Sequence, residues 1–248
     1  MSSTQVQEVS EGLRTKGYAL VSADRLDIDP ELRRYEAELA QEWERLETDR
    51  YLKDGGRFRE RRYDRFVFRP STGESRLRAH VPYYQSDDAN EYAGGIQREV
   101  APLADSTLAN PLLQALIPFD FARFPVAPEL LADTWDVQCH QFRIIGLPGE
   151  LGDPTPEGPH RDEVDFGAIH LMHRGNAQGG ESQVYTADKE LVAEFRLESR
   201  MDTMYWADEK ILHAVRPITA IDRDQAAIRD VLILGYRHAP ELAGELGS

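Results

Sequence analysis

The chain has one cysteine, Cys139, so it cannot form an internal disulfide. Its opening, Met1 to Gln5, is polar and lacks the apolar run of a secretory signal, which points to a cytoplasmic protein. Apolar stretches are short, Val231 to Leu234 being typical, and none approaches the roughly 20 residues that cross a bilayer. Positive charge is scarce: 29 Lys and Arg stand against 44 Asp and Glu, a net charge of −15 that would repel a phosphate backbone. Nucleic acid is therefore not an expected partner. Repeats, low-complexity tracts and a Gly/Ser-rich linker are also missing, so one domain of residues 1–248 is expected. With 41% hydrophobic residues, a chain of 248 can bury a sizeable core.

Within that domain the pattern changes along the chain. Residues 1–131 read as helices and supporting elements, and 132–238 as a β core. Gly17 to Val21 reads as a short strand. Asp29-Pro30 supplies a helix cap and first position, with Leu32, Tyr35, Leu39, Trp43 and Leu46 as the apolar stripe of a helix to about Thr48. Arginines alternate with Phe58, Tyr63, Phe66 and Phe68 in a half-buried strand. A second helix is expected over Ala109 to Leu116, within a turn-rich middle running from Pro82 to Leu131. Strands follow at Trp135–Gly146, Phe166–His173, Ser182–Thr186, Glu194–Leu197, Thr203–Trp206, His213–Val215 and Arg229–Arg237. Short strands divided by Gly, Pro and Asp turns suggest a double-sheet jelly roll, mainly β with N-terminal helices.

The chemistry is concentrated in His160-x-Asp162 and His213. Residues with one residue between them project to the same side of a strand, so His160 and Asp162 make a half site that a returning histidine completes. Two imidazoles and one carboxylate on one face of a metal form the facial triad of non-haem Fe(II) oxygenases. His170 is the rival third ligand, sharing parity with His160; His173, His140, His80 and His238 read as core or surface histidines. Because both imidazoles must be neutral to bind, affinity is expected to fall below about pH 6.5. Arg229 opens the apolar run Val231-Leu232-Ile233-Leu234, and a cation at the start of a buried strand needs an anion, which a dicarboxylate co-substrate supplies. A zinc hydrolase or isomerase on a cupin-like barrel, and a non-catalytic ligand-binding jelly roll, are the alternatives left open.

His160-Arg161-Asp162, Arg174-Gly175-Asn176, Gly179-Gly180-Glu181-Ser182, His213-Ala214-Val215-Arg216-Pro217-Ile218 and Arg229-Asp230-Val231-Leu232 together resemble the bacterial 2-oxoglutarate and Fe(II)-dependent dioxygenases that include isoleucine 4-hydroxylase and related free amino-acid hydroxylases. Weaker echoes are Pro82-Tyr83-Tyr84-Gln85 and Gly94-Gly95-Ile96 with Arg98. The resemblance implies a double-stranded β-helix in which His160, Asp162 and His213 hold iron and Arg229 binds the far carboxylate of 2-oxoglutarate. Hydroxylation of an unactivated C–H bond by O2 would accompany conversion of 2-oxoglutarate to succinate and CO2. Many such oxygenases carry serine two positions after the arginine; here Val231 stands there, so Tyr236 or Tyr205 is expected to supply that contact. For a free amino-acid substrate, Arg143, Gln141, Arg98, Arg174 and Glu163 are the candidate contacts. Asp162 disfavours halogenation, since halogenases of this class replace that carboxylate with a small residue. A homodimer is left open.

Overall fold

The computed structural model describes residues 3–52, 56–86, 92 and 94–246. Helix α1 (Ser3–Lys16) leads into strand β1 (Tyr18–Val21). Asp29 caps the next helix as its type predicts, its carboxylate accepting the Glu31 amide at 2.8 Å, with Pro30 at the first position. The single helix expected to reach Thr48 is instead broken into α2 (Pro30–Arg33), α3 (Glu36–Gln41) and a 3-10 turn over Glu42–Arg45, before strand β2 (Glu47–Thr48). Fully buried Trp43 lies on the tighter turn, and its indole donates to the Phe142 carbonyl at 2.9 Å. Strands β3 (Arg59–Arg69) and β4 (Glu74–Leu77) form a hairpin. In the turn-rich middle, of which residues 87–91 and 93 lie outside the described residues, α4 (Asp105–Leu108) precedes α5 (Pro111–Phe121). Asn110 caps α5 by accepting the Leu112 amide at 2.9 Å.

The β region runs β5 (Trp135–Gly146), β6 (Phe166–Gly175), β7 (Ala177–Gly179), β8 (Ser182–Tyr185), β9 (Leu191–Phe195), β10 (Thr203–Ala207), β11 (Leu212–Val215), β12 (Ile218–Ala220) and β13 (Ala227–His238). One antiparallel sheet has the order β1-β10-β6-β13-β5-β3-β2, with β4 beside β3; smaller sheets pair β11-β8-β9 and β12-β7. This is the expected double-stranded β-helix, mainly β with N-terminal helices. The main sheet separates two environments by strand parity. Its Cys139, Leu232, Leu234 and Tyr236 join a core with α1, α3 and α5 that runs from Val9 to Tyr236. The opposite parity, His140, Phe142, Val231 and Ile233 among it, lines a chamber closed on the far side by Ser182 of β8 and Ala214 of β11. Among the described residues no helix is long and apolar enough to cross a membrane.

Candidate active site

His160 lies outside the regular strands, at an isolated antiparallel bridge with His213. The His160 amide donates to the His213 carbonyl at 3.1 Å, and the His213 amide returns to the His160 carbonyl at 3.0 Å. Asp162 then turns back between the two rings: its carboxylate oxygens lie 3.4 Å from His160 Nε2 and 3.3 Å from His213 Nε2. A metal bonded at about 2.0–2.2 Å to neighbouring octahedral positions has donors about 3 Å apart, so the triad fits one face of such a metal. His160 Nδ1 donates to the Gly158 carbonyl at 3.0 Å, which leaves the Nε2 lone pair for the metal. Burial pulls the His160 pKa down, but its hydrogen bond and charge interaction with Asp162 outweigh that and raise it to about 9. Burial would raise Asp162, yet His213 and His160 hold it well below the usual carboxylate range.

The metal loop has its own support. Asp208, 2% exposed, accepts the Asp162 amide at 3.0 and 3.1 Å, the Glu163 amide at 3.0 Å and the Trp206 indole N–H at 3.2 Å. Glu163 adopts a left-handed φ of +59°, so these bonds hold an uncommon backbone geometry beside the ligand. Trp206 also packs on the His213 ring at 5.1 Å between centroids. Gly167 makes room for that indole, since a Cβ there would lie 2.2 Å from it.

Arg229 enters the same chamber from β13. It is 1% exposed, its Nε and Nη2 have no hydrogen-bond partner, and burial followed by the nearby Arg174 charge lowers its pKa to about 10. A buried guanidinium in this condition is a site prepared for an anion. Buried Ser182 faces the chamber as well, with Oγ unpartnered.

The other expected contacts divide by strand face. Tyr236 and Tyr205 point away from the chamber into the helical core, where their hydroxyls donate to the Ile117 carbonyl and to Asp120, each at 2.9 Å. Tyr236 is seven positions from Arg229, an odd step, so one strand cannot present both to the same side. Arg143 and Gln141 likewise have the wrong parity: Arg143 pairs with Asp230 at 2.8 Å and Glu44 at 2.7 Å, and Gln141 is buried on the helical side. His170 also faces the helices, 2.9 Å from Asp120, and does not join the triad. Arg174 braces the turn around β7 by donating to the Ala177 and Gly179 carbonyls at 2.8 and 2.6 Å. Glu163 ties down Ser86, accepting its amide at 3.0 Å and its hydroxyl at 2.6 Å. Arg98 does line the chamber.

The sequence offered Ser182 only as the end of the Gly179-Gly180-Glu181-Ser182 motif, without a role, and did not single out Asp208, Arg59, Arg61 or a chamber role for His140. Alternation along β3 carried the signal for the arginines, because Arg59 and Arg61 share parity with Tyr63 and oppose that of Phe66 and Phe68. His140 packs between Tyr63 at 4.5 Å and Tyr83 at 4.9 Å, and burial, followed by the Arg61 charge, lowers its pKa well below the ordinary value.

Known proteins resemble the chain over nearly its whole length. It is 25% identical over 241 residues to L-isoleucine-4-hydroxylase of Bacillus thuringiensis, covering 96% of this chain and 98% of that one. The crystal structure of IDO from Bacillus thuringiensis shares the fold with a TM-score of 0.78 at 21% identity, over 96% of this chain and 97% of the other. A bsmA homologue from Methylobium petroleophilum PM1 gives a TM-score of 0.83 at 30% identity, over 94% and 93% of the two chains. Residues 40–235 match the family described as 2OG-Fe dioxygenase. The triad, the unpaired guanidinium and this match agree: the chain belongs to the 2OG-Fe dioxygenase family, enzymes that use Fe(II), 2-oxoglutarate and O2.

Proposed function

We propose that the enzyme hydroxylates a free L-amino acid at an unactivated C–H bond. The observation that carries the reading is Arg229, a buried cation whose Nε and Nη2 have no hydrogen-bond partner among the described residues, in the chamber that also holds His160, Asp162 and His213. When bound, iron and 2-oxoglutarate supply the oxidising chemistry, in which O2 and 2-oxoglutarate give succinate, CO2 and one oxygen atom for the substrate. His160, Asp162 and His213 would hold the iron, which would bring the co-substrate and O2 together in the chamber. Arg229 receives the distal carboxylate of 2-oxoglutarate, and the Ser182 hydroxyl donates beside it, taking the place of the serine missing at Val231. Arg98 receives the amino acid's α-carboxylate; Gln85 fixes its guanidinium by accepting from Nη2 at 2.8 Å. Relatives named L-isoleucine-4-hydroxylase and 3(1)-hydroxy-L-isoleucine 4-dioxygenase support a free amino acid as substrate. A zinc hydrolase on the same barrel would leave Arg229 without a purpose.

Anaerobic Fe(II) and 2-oxoglutarate should produce a weak visible charge-transfer band that disappears in His213→Ala and Arg229→Ala. Admitting O2 with an amino acid should then release succinate and a hydroxylated product. Iron binding without the band would overturn the co-substrate assignment.

A further inference from the structure

The end of the chamber formed by β3 and the bridge between Tyr83 and Arg98 holds more positive charge than a neutral amino acid can use. Alternation on β3 sends Arg59 and Arg61 inward, and Arg98 arrives beside them. Arg61 is 3% exposed and Arg98 1%. Their guanidinium carbons sit 5.2 and 4.6 Å from the centroid of the Tyr83 ring, which holds both groups in place.

Among the described residues, Asp49 is the carboxylate in contact with this cluster, and Glu157 attracts Arg98 from further away. Asp49 accepts from Arg59 Nε at 2.9 Å and lies 2.8 Å from Arg59 Nη2. Arg61 Nε is 3.2 Å from the same oxygen without hydrogen-bonding geometry, and Arg61 Nε and Nη2 have no hydrogen-bond partner. Arg98 Nε is also unpartnered, and its Nη2 meets only the neutral amide of Gln85. Glu157, another carboxylate lining the chamber, lies 3.6 Å from His160 Nδ1. Among the described residues, three guanidinium groups against Asp49 and Glu157 leave one positive charge in a buried space, where an uncompensated charge is costly. Burial lowers the pKa of both Arg61 and Arg98, and the Arg59 charge adds to the lowering in each.

A neutral aliphatic amino acid brings one carboxylate and one ammonium, so it satisfies one guanidinium and adds a cation. We propose that the substrate is an acidic amino acid, whose α-carboxylate is held by Arg98 and whose side-chain carboxylate is held by Arg61. The assignment rests on the function proposed above. The two substrate carboxylates then meet Arg98, whose Nε is unpartnered, and Arg61, whose Nε and Nη2 are; Glu157 takes the ammonium, and the substrate's net charge of −1 cancels the remaining positive charge. The reaction balances as substrate C–H, O2 and 2-oxoglutarate giving substrate C–OH, succinate and CO2, and leaves both substrate carboxylates unchanged. Arg61 is a specificity determinant in this scheme, not a participant in the oxidation.

The test supplies enzyme, Fe(II), 2-oxoglutarate and O2 with L-aspartate, L-glutamate or L-2-aminoadipate, beside L-asparagine, L-glutamine, L-leucine and L-isoleucine. Succinate and a product 16 mass units heavier are read for each. At least one acidic amino acid is expected to exceed its amide or aliphatic counterpart by on the order of 100-fold in kcat/KM, because the neutral analogue leaves a buried guanidinium unpaired. Arg61→Met should reduce that ratio to about tenfold or less while the Fe(II)/2-oxoglutarate band and its 2-oxoglutarate titration stay as in wild type. The wild-type ratio decides the matter even if Arg61→Met fails to fold. A neutral amino acid turned over fastest, or an unchanged ratio in a folded Arg61→Met, would each overturn this proposal alone. Absence of the band, or a normal band with no amino acid consumed, would overturn it together with the proposed function.

Discussion

Replacing Asp208 by alanine should weaken iron binding without touching a ligand. Its carboxylate accepts the backbone N–H groups of Asp162 and Glu163 and the indole N–H of Trp206, at 3.0 to 3.2 Å. Hydrogen bonds to a charged group contribute about 1.5–3 kcal/mol each, so three donors give roughly 5–9 kcal/mol before offsets. The offsets are substantial: burial, followed by repulsion from Asp162, raises the Asp208 pKa, and water entering the alanine cavity would satisfy part of what is lost. What survives is orientation. Without Asp208 the left-handed turn at Glu163 is free to relax and Asp162 no longer stands between the two imidazoles. Partners that orient metal ligands typically contribute 10–100-fold in affinity, and a loss in that range is expected for Fe(II). Asp208→Asn, which keeps the shape but turns an amide NH2 toward one of the donors, should fall between alanine and wild type. The assay is an anaerobic Fe(II) titration at saturating 2-oxoglutarate, read on the visible band, with a thermal melt of the metal-free protein alongside. An Asp208→Ala enzyme that binds Fe(II) within twofold of wild type and melts at the same temperature would refute the argument.

Arg229→Met should raise the KM for 2-oxoglutarate by at least about 100-fold while Fe(II) binding persists, and metal-free protein should melt no lower than wild type, because a buried cation without an anion has been removed; retained 2-oxoglutarate affinity would exclude the assignment. His160 has a folded-state pKa of about 9, so in the metal-free protein it is protonated at neutral pH and must release that proton to bind iron. Apparent Fe(II) affinity should therefore rise by up to about tenfold per pH unit until about pH 9, well above the window near 6.5 expected from an unperturbed histidine. The sign for folding is opposite: a raised histidine pKa stabilises fully below about 6.5 and that stability is lost as pH climbs through about 9, so metal-free melting temperature should fall across the interval in which iron affinity grows. A flat affinity profile between pH 6.5 and 9 would contradict this. Gly167→Ala, whose methyl would meet the Trp206 ring, should destabilise by about 1–3 kcal/mol and loosen iron binding, checked by melting and titration; an unchanged melt would show that the indole can move.

The triad was legible because its residue types and order are demanded by the metal. Strand-borne spacing described it less well, since His160 is held by a single bridge and Asp162 by a turn. Arg229 was legible because a cation beside an apolar run needs an explanation in any fold. Parity alone could have excluded Tyr236, and applied along β3 it would have turned Arg59 and Arg61 inward. Ser182 and Asp208 left no such mark: each becomes informative only when β8 closes over the chamber or β10 runs beneath the metal loop. The helix expected to Thr48 followed its apolar stripe correctly, but periodicity carries no information on the turn that places the Trp43 indole at the Phe142 carbonyl.

The amides of His160 and His213 are hydrogen-bonded to each other's residue, in both directions. They form a two-amide latch joining the loop after Gly158 to β11, and neither amide can exchange with solvent deuterium unless the pair parts. Iron held by both rings would fasten the same two residues a second time through their side chains. Deuterium uptake at these two positions is thus a direct, activity-independent gauge of metal occupancy, slowing together when the site is loaded and accelerating together when the ion is withdrawn.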